Sequence, residues 1–387
     1  MNGYHPGQDV ITLTYNPEVG RYTTSIFERW KANQPHKSRC IRMIVEEAIR
    51  EHGAALAEIF KRKEIKFVVV TEDFGINWAG SDSKLPAFTL CTTENEHSDI
   101  PVPDFTYGCY PEAHYTNSSW PAISSLLSTK AAMMPWQERS NTVFHRSNWG
   151  VGPRRQLMPV LKRLMNNGSD VDVLGGRLDV ADTGFTISKK ENFVFLDEQC
   201  RHKVAIHTAG FSYSAGLKYK LACASLVLHF DSKYKEFYEP ALEDGIHVIR
   251  LPATEEGVDE EEFWTKSVPK IKAAVQEAMA VGLDRPPTIA QQGQKFVLEQ
   301  LTPEALSCYW YGALMRYGDL YFSEETVAQI SAKREGRPAT MTDFLKKQQE
   351  EEEGKNNGGG KGGRKIKKNR GKEEEEEEKT EEGGGDE

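Results

Sequence analysis

Residues 199–252 constrain the fold of this chain more than any other stretch: QCRHKVAIHTAGFSYSAGLKYKLACASLVLHFDSKYKEFYEPALEDGIHVIRLP. The apolar run at 204–206 leads into a turn holding Gly210, Ser212 and Ser214. Leu217, Leu221 and Cys223 then fall mostly on one face of a helix, leaving Lys218 and Lys220 for other directions. Residues 225–230, SLVLHF, have the short β-rich composition of a buried strand. The order is therefore strand, serine-rich turn, helix, strand. Two readings follow: a plain β-α-β unit with a capped helix, or a turn whose unsatisfied backbone N–H groups bind phosphate.

The same alternation runs through the rest of the chain. Residues 1–36 hold turn formers and aromatics without clear periodicity and read as an irregular lead-in. Apolar residues recur at helical spacing over 40–62, with Gly53 a candidate break. A continuous apolar strand follows at 65–70, and a second short strand is expected at 85–91. The proline- and aromatic-rich loop at 99–111 is of the kind that lines a cleft. Residues 141–144 read as a strand, 153–164 as a helix disturbed by Pro159, and 171–174 as a strand. Helices are expected over 260–283, 290–301 and 303–320. Short buried strands alternating with helices define an α/β fold. Beyond about residue 342 the chain is blocks of Glu, Lys and Gly with no apolar face, a composition that reads as a disordered tail.

Composition excludes several function classes. The net charge of -9 argues against a nucleic-acid-binding surface. No stretch approaches the roughly 18 apolar residues of a membrane span, and the first twenty residues lack a basic region followed by an apolar core, so no signal peptide is expected. The six cysteines form no C-x-x-C pair, which speaks against structural zinc. Asp170-Val-Asp172 matches the D-x-D of metal-dependent sugar transferases, a pattern frequent by chance. No G-x-S-x-G and no G-x-G-x-x-G are present, against a serine hydrolase and a dinucleotide-dependent oxidoreductase.

Asp73 follows the strand at 65–70, where an open α/β sheet presents reactive groups to its crevice. On the residues alone it either caps the next turn or acts as a general base. Several segments together resemble the Rumi-type protein O-glucosyltransferases and their fungal capsule-xylosyltransferase relatives, over roughly residues 65–322. They are Gly210, Ser214 through Lys218, Cys223-Ala-Ser-Leu-Val227, Tyr234-Lys-Glu236-Phe-Tyr238, the Pro135-Trp136 segment leading to Ser147, and Cys308-Tyr309-Trp310.

The resemblance implies two Rossmann-like domains facing a cleft, a GT-B-like arrangement. Residues 1–138 would form an acceptor-side domain, 139–302 a nucleotide-sugar-binding domain, 303–341 helices packing back on the first, and 342–387 the tail. It implies inverting, metal-independent transfer of glucose or xylose from a UDP-sugar co-substrate to a protein or glycan hydroxyl, with no other cofactor. Asp73 would be the base. His145, Arg146, Ser147, Gly210, Ser212, Ser214, Lys218 and Glu236 would line the donor site. It also implies a paired Cys200 and Cys223, beside the alternative of two free thiols, and work in the secretory lumen. The chain departs from the family pattern in three places. Glu72 replaces an arginine before Asp73, His145 stands at an arginine position, and Gly216 falls where the family carries a diphosphate-neutralising arginine. These departures keep open a second reading, a catalytically degenerate protein that binds a nucleotide sugar or glycan without turnover.

Overall fold

A computed structural model describes residues 8–30, 35–75, 87–166, 177–184, 187–253, 259–280 and 284–322. The tail at 342–387, the strand expected at 171–174 and the D-x-D pair at Asp170 and Asp172 lie outside them.

The first sheet has the order β2-β1-β3-β4-β5. Its strands are β1 (Gln8–Asn16), β2 (Arg21–Trp30), β3 (Ile65–Val70), β4 (Ala87–Thr89) and β5 (Ile100–Pro101). β3, β4 and β5 are parallel, and β1 pairs antiparallel with both β2 and β3. The lead-in expected to be irregular is therefore a hairpin. Its turn closes at Gly20, whose φ of 66° lies in the left-handed region that glycine adopts without penalty. Helix α1 (Pro35–Ile59) covers this sheet and runs unbroken through Gly53. A Cβ at Gly53 would lie 3.0 Å from the Tyr22 carbonyl oxygen, so that glycine marks a close approach of β2 rather than a break.

The second sheet is wholly parallel, in the order β10-β9-β8-β6-β7. It comprises β6 (Ser140–Ser147), β7 (Arg177–Asp182), β8 (His202–His207), β9 (Leu226–Phe230) and β10 (Ile249–Leu251). The order places the first strand of this half beside the third, so the winding direction reverses between β6 and β8. Open α/β sheets bind ligands at that switch point, outside the strand carboxyl ends.

Both faces of the second sheet are covered, which is why its strands read as continuous apolar runs. Helices α3 (Arg154–Asn166) and α6 (Val268–Ala278) bury Leu157, Leu161, Ile271 and Val275 against Val204, Ile206 and Leu228. On the other face α2 (Trp120–Met133), α4 (Leu217–Ala222) and α7 (Thr288–Gln300) enclose Leu127, Leu221, Val227 and Val297. Pro159 sits inside α3 without ending it, and the segment before α6 is one turn of α-helix, α5 (Glu260–Glu262), running into a π-helical turn, Phe263–Ser267. The final helix, Pro303–Phe322, returns to the first core, where Trp310, Leu314 and Tyr317 pack with Phe67 and Phe88. The Tyr317 hydroxyl donates to the Lys66 carbonyl at 2.7 Å.

Two disulfides fasten this frame. Cys200–Cys223 ties the start of β8 to the end of α4, and Cys40–Cys109 ties α1 to the loop after β5. Cys91 and Cys308 are free thiols.

Candidate active site

The carboxyl end of β3 and the turn after β8 meet. Glu72 is buried, whereas the Asp73 side chain keeps 35% of its surface open. Lys37 Nζ, itself buried and lying over the Phe105 ring, stands 3.2 Å from Asp73 Oδ1. The Cys91 thiol donates to the Asp73 carbonyl at 3.3 Å and lies beside the Ser212 hydroxyl of the turn. Burial, with the Asp73 charge nearby, pushes this thiol far up, so it stays protonated.

The turn is closed by Gly210 N–H donating to Tyr213 O at 3.0 Å. Gly152, in the loop between β6 and α3, presses against it: a Cβ at Gly152 would lie 1.8 Å from the Gly210 oxygen. Its φ of 49° also favours glycine. From the first residue of α3, Arg154 reaches over the turn. Its Nε donates to Thr208 Oγ1 at 2.9 Å, and Nη2 donates to the Thr208 carbonyl and Ser214 Oγ, both at 3.1 Å.

The donor-site residues named from sequence divide into three groups. Ser147, His145, Gly210, Ser212 and Ser214 are brought together at the switch point. His145 Nδ1 bonds the Ile206 carbonyl at 2.9 Å, which fixes Nδ1 as the donor and leaves Nε2 to accept from Ser147 Oγ at 2.7 Å. Burial, with Lys220 and Arg154 adding to it, drives the His145 pKa well below 6.5, so the ring is neutral and supplies no cation. Arg146 goes elsewhere. One residue along the strand it faces away from His145, donating to Asp179 Oδ1 at 2.7 Å and to the Asp179 carbonyl at 2.8 Å.

Lys218 and Glu236 form the third group, a sealed ionic core below the turn. Lys218 is wholly buried, 3.3 Å from Asp104 Oδ1 and 3.7 Å from Glu236 Oε1, with Nζ over the Tyr107 ring. Tyr213 donates to the other Asp104 oxygen at 3.1 Å, and Tyr238 to Glu236 Oε2 at 3.1 Å. Burial raises the Glu236 carboxyl well above its ordinary range, against the pull of Lys218. Burial also acts on neighbouring Glu239, but the hydrogen bond to His229 at 3.2 Å brings it below its ordinary value. Asp104 is the nearer partner of Lys218, and Glu236, slightly farther off, is the carboxyl whose charged form burial disfavours. Lys218 therefore has no open face toward a phosphate, contrary to the sequence expectation of an available cation.

Sequence reasoning missed Lys37, Asp104, Arg154 and the role of Lys220. Asp104 stood in the loop read as cleft-lining, and Arg154 opened a helix that was expected, but neither sits in a quoted motif. Lys220 ends in a buried position beside His207 Nδ1, 3.3 Å away. A cavity of about 560 Å³ opens beyond the ends of β9 and β10, lined by Glu96, Asp231, Lys233, Lys235, Glu239 and Arg250 among others. No residue named from sequence lines it, and Glu239 connects it to the ionic core.

Polar groups thus gather at the switch point of the parallel sheet, near the Asp73 carboxylate that follows β3 of the other sheet. The chain belongs to glycosyl transferase family 90, which matches residues 59–352. It is similar to Protein O-glucosyltransferase 1 of Homo sapiens, 23% identical over 269 residues covering 68% of this chain and 64% of that protein. Protein O-glucosyltransferase 1 of Rattus norvegicus is 22% identical over 270 residues, with the same shares of each chain. O-glucosyltransferase rumi of Drosophila melanogaster is 26% identical over 267 residues, 66% of this chain and 60% of that one. The chain thus spans somewhat less than two thirds of the length of these curated relatives.

Proposed function

We propose that the protein transfers glucose or xylose from a UDP-sugar to a hydroxyl of a protein or glycan acceptor, with inversion and without a metal. Family membership and the relatives' names support glycosyl transfer. The observation that carries the mechanism is the Asp73 carboxylate: open, at the carboxyl end of β3, oriented by Lys37 and next to the turn after β8. The acceptor hydroxyl gives its proton to Asp73 as its oxygen attacks the anomeric carbon. The bond from that carbon to the phosphate oxygen breaks on the opposite face, and its electron pair leaves with UDP. The donor lies along Ser147, Gly210 and Ser214 at the switch point, in a GT-B-like crevice between two Rossmann-like halves. The two disulfides support folding in an oxidising compartment such as the secretory lumen.

The test compares wild type with Asp73→Asn, measuring transfer and UDP release over a panel of UDP-sugars and binding of the preferred one. Asp73→Asn is expected to lower turnover about 100-fold or more, the usual scale of a lost general base, with donor affinity within about twofold. Full turnover in Asp73→Asn removes Asp73 from the role. The second reading, a binding protein without turnover, draws on Gly216 and on the neutral His145. It predicts donor binding by wild type with no sugar released or transferred.

A further inference from the structure

We propose that Lys220, braced by Arg154, is the cation that neutralises the donor diphosphate in this chain, occupying the space left by Gly216. This rests on the glycosyltransferase reading above. Gly216 caps α4 and Lys220 lies four residues on, with its N–H 3.4 Å from the Gly216 carbonyl oxygen. Residues four apart on a helix share a face. Lys220 Nζ accordingly lies 3.5 Å from the point a Cβ at Gly216 would occupy, and Ser214 Oγ lies 3.8 Å from the same point. The ammonium thus stands at the root of the missing side chain, beside the hydroxyl that Arg154 already holds at 3.1 Å.

The charge balance points the same way. Lys37, Arg146 and Lys218 each have a carboxylate partner, Asp73, Asp179 and Asp104. Among the described residues no carboxylate lies within ion-pair distance of Lys220 or Arg154, and their hydrogen bonds go to neutral His207, Thr208 and Ser214. Buried cations without a counter-charge are costly, and a bound anion is the group that reverses the cost. Two phosphates between Ser214, Lys220 and Arg154 would supply it. They would also receive there the charge that develops on the leaving UDP.

The groups facing Lys220 define its titration. Burial, then Arg154, brings its pKa down to about 7. His207 of β8 and His145 of β6 are held well below 6.5 by burial, and His229 of β9 stacks behind His207. Arg154 of α3, lowered by burial to about 10, stays charged near neutrality. Lys220 is therefore charged below about pH 7 and loses its charge above it. A diphosphate sugar has no phosphate that titrates in this range, so a fall in its affinity from pH 6 to 8.5 reports the protein.

Calorimetric titration with UDP-glucose, UDP, uridine and inorganic pyrophosphate tests this on wild type, Lys220→Met and the double variant Gly216→Arg/Lys220→Leu. Lys220→Met is expected to weaken UDP and UDP-glucose at least tenfold, as loss of a charge-assisted contact does, and to leave uridine unchanged. The double variant, which moves the cation back to residue 216, is expected to recover affinity to within about threefold and to lose the pH dependence. Unchanged UDP affinity in Lys220→Met overturns the proposal, as does an equal loss for uridine. So does a double variant that melts like wild type yet recovers nothing. If wild type binds neither UDP nor UDP-glucose, the donor reading fails. Pyrophosphate binding that depends on Lys220 would then keep the anion site, and its absence would remove it.

Discussion

Lys218 and Lys220 sit two residues apart on one short helix, and the protein treats them oppositely. Lys218 is enclosed with Asp104 within reach, so its charge is answered inside the fold. Lys220 is buried beside a neutral histidine and an arginine, so its charge opposes folding until an anion arrives. An amine whose folded pKa is depressed binds fewer protons than the unfolded chain between about 7 and the unfolded value near 10.4. Stability should therefore rise with pH across that window, with the full cost of the buried charge present below it. Lys220→Met removes the cost. It is expected to melt at least about 2 °C above ligand-free wild type at pH 6.5, with the gap narrowing by pH 9.5. A variant that melts lower at both pH values would mean that Lys220 contributes packing and carries no stored charge. Neither fate was legible in the sequence, where both lysines read as available. Their difference depends on Asp104, which lies 114 positions before Lys218.

Among the elements, the most demanding contact joins the loop after β6 to the turn after β8. Gly152 combines a left-handed backbone with an approach to Gly210 that leaves no room for a methyl group. Gly152→Ala must displace the backbone of the donor turn and with it Ser214 and the Arg154 hydrogen bonds. It is expected to weaken UDP-glucose binding about tenfold or more while lowering the melting temperature by only about 2–4 °C, roughly one kcal/mol for a chain of this class. Binding equal to wild type would show that the two loops move independently. Much at this scale was readable from sequence, because β3, β8 and β9 are buried on both faces and declare themselves as apolar runs. The helices at 303–320 and 153–164 were found within two residues by periodicity. The hairpin of β1 and β2 was missed although ITLTYN and RYTTS are rich in β-branched and aromatic residues around a turn ending in Gly20. Ile11, Leu13 and Tyr15 alternate with Thr12 and Thr14, so the strand signal was present in β1 and went unread. Helix α2 was missed too, its Ile123, Leu127 and Ala131 spacing masked by a serine-rich outer face.

At the scale of the whole molecule, the two sheets are joined by the ionic core. Asp104 belongs to the loop after β5, and Lys218, Tyr213 and Tyr219 belong to the turn and helix after β8. Asp104 receives Lys218 and Tyr213, while the Tyr219 hydroxyl donates to the Thr106 carbonyl at 3.1 Å. Every one of these groups is buried, so the contact is a charged weld between the halves in place of an apolar one. A buried pair of this kind is strongly destabilising when broken and much less so when removed whole. Lys218→Met strands the Asp104 carboxylate and is expected to cost about 3–5 kcal/mol in denaturant unfolding. Asp104→Asn alone takes away the nearer carboxylate and leaves the ammonium with Glu236, 3.7 Å away, whose carboxyl burial holds above its ordinary range. The double variant Asp104→Asn/Lys218→Met leaves no charge unanswered. It should recover most of the loss, giving a coupling of about 3 kcal/mol or more in the double-mutant cycle. Additive losses would place the charges in separate, solvated environments and break the weld into independent contacts.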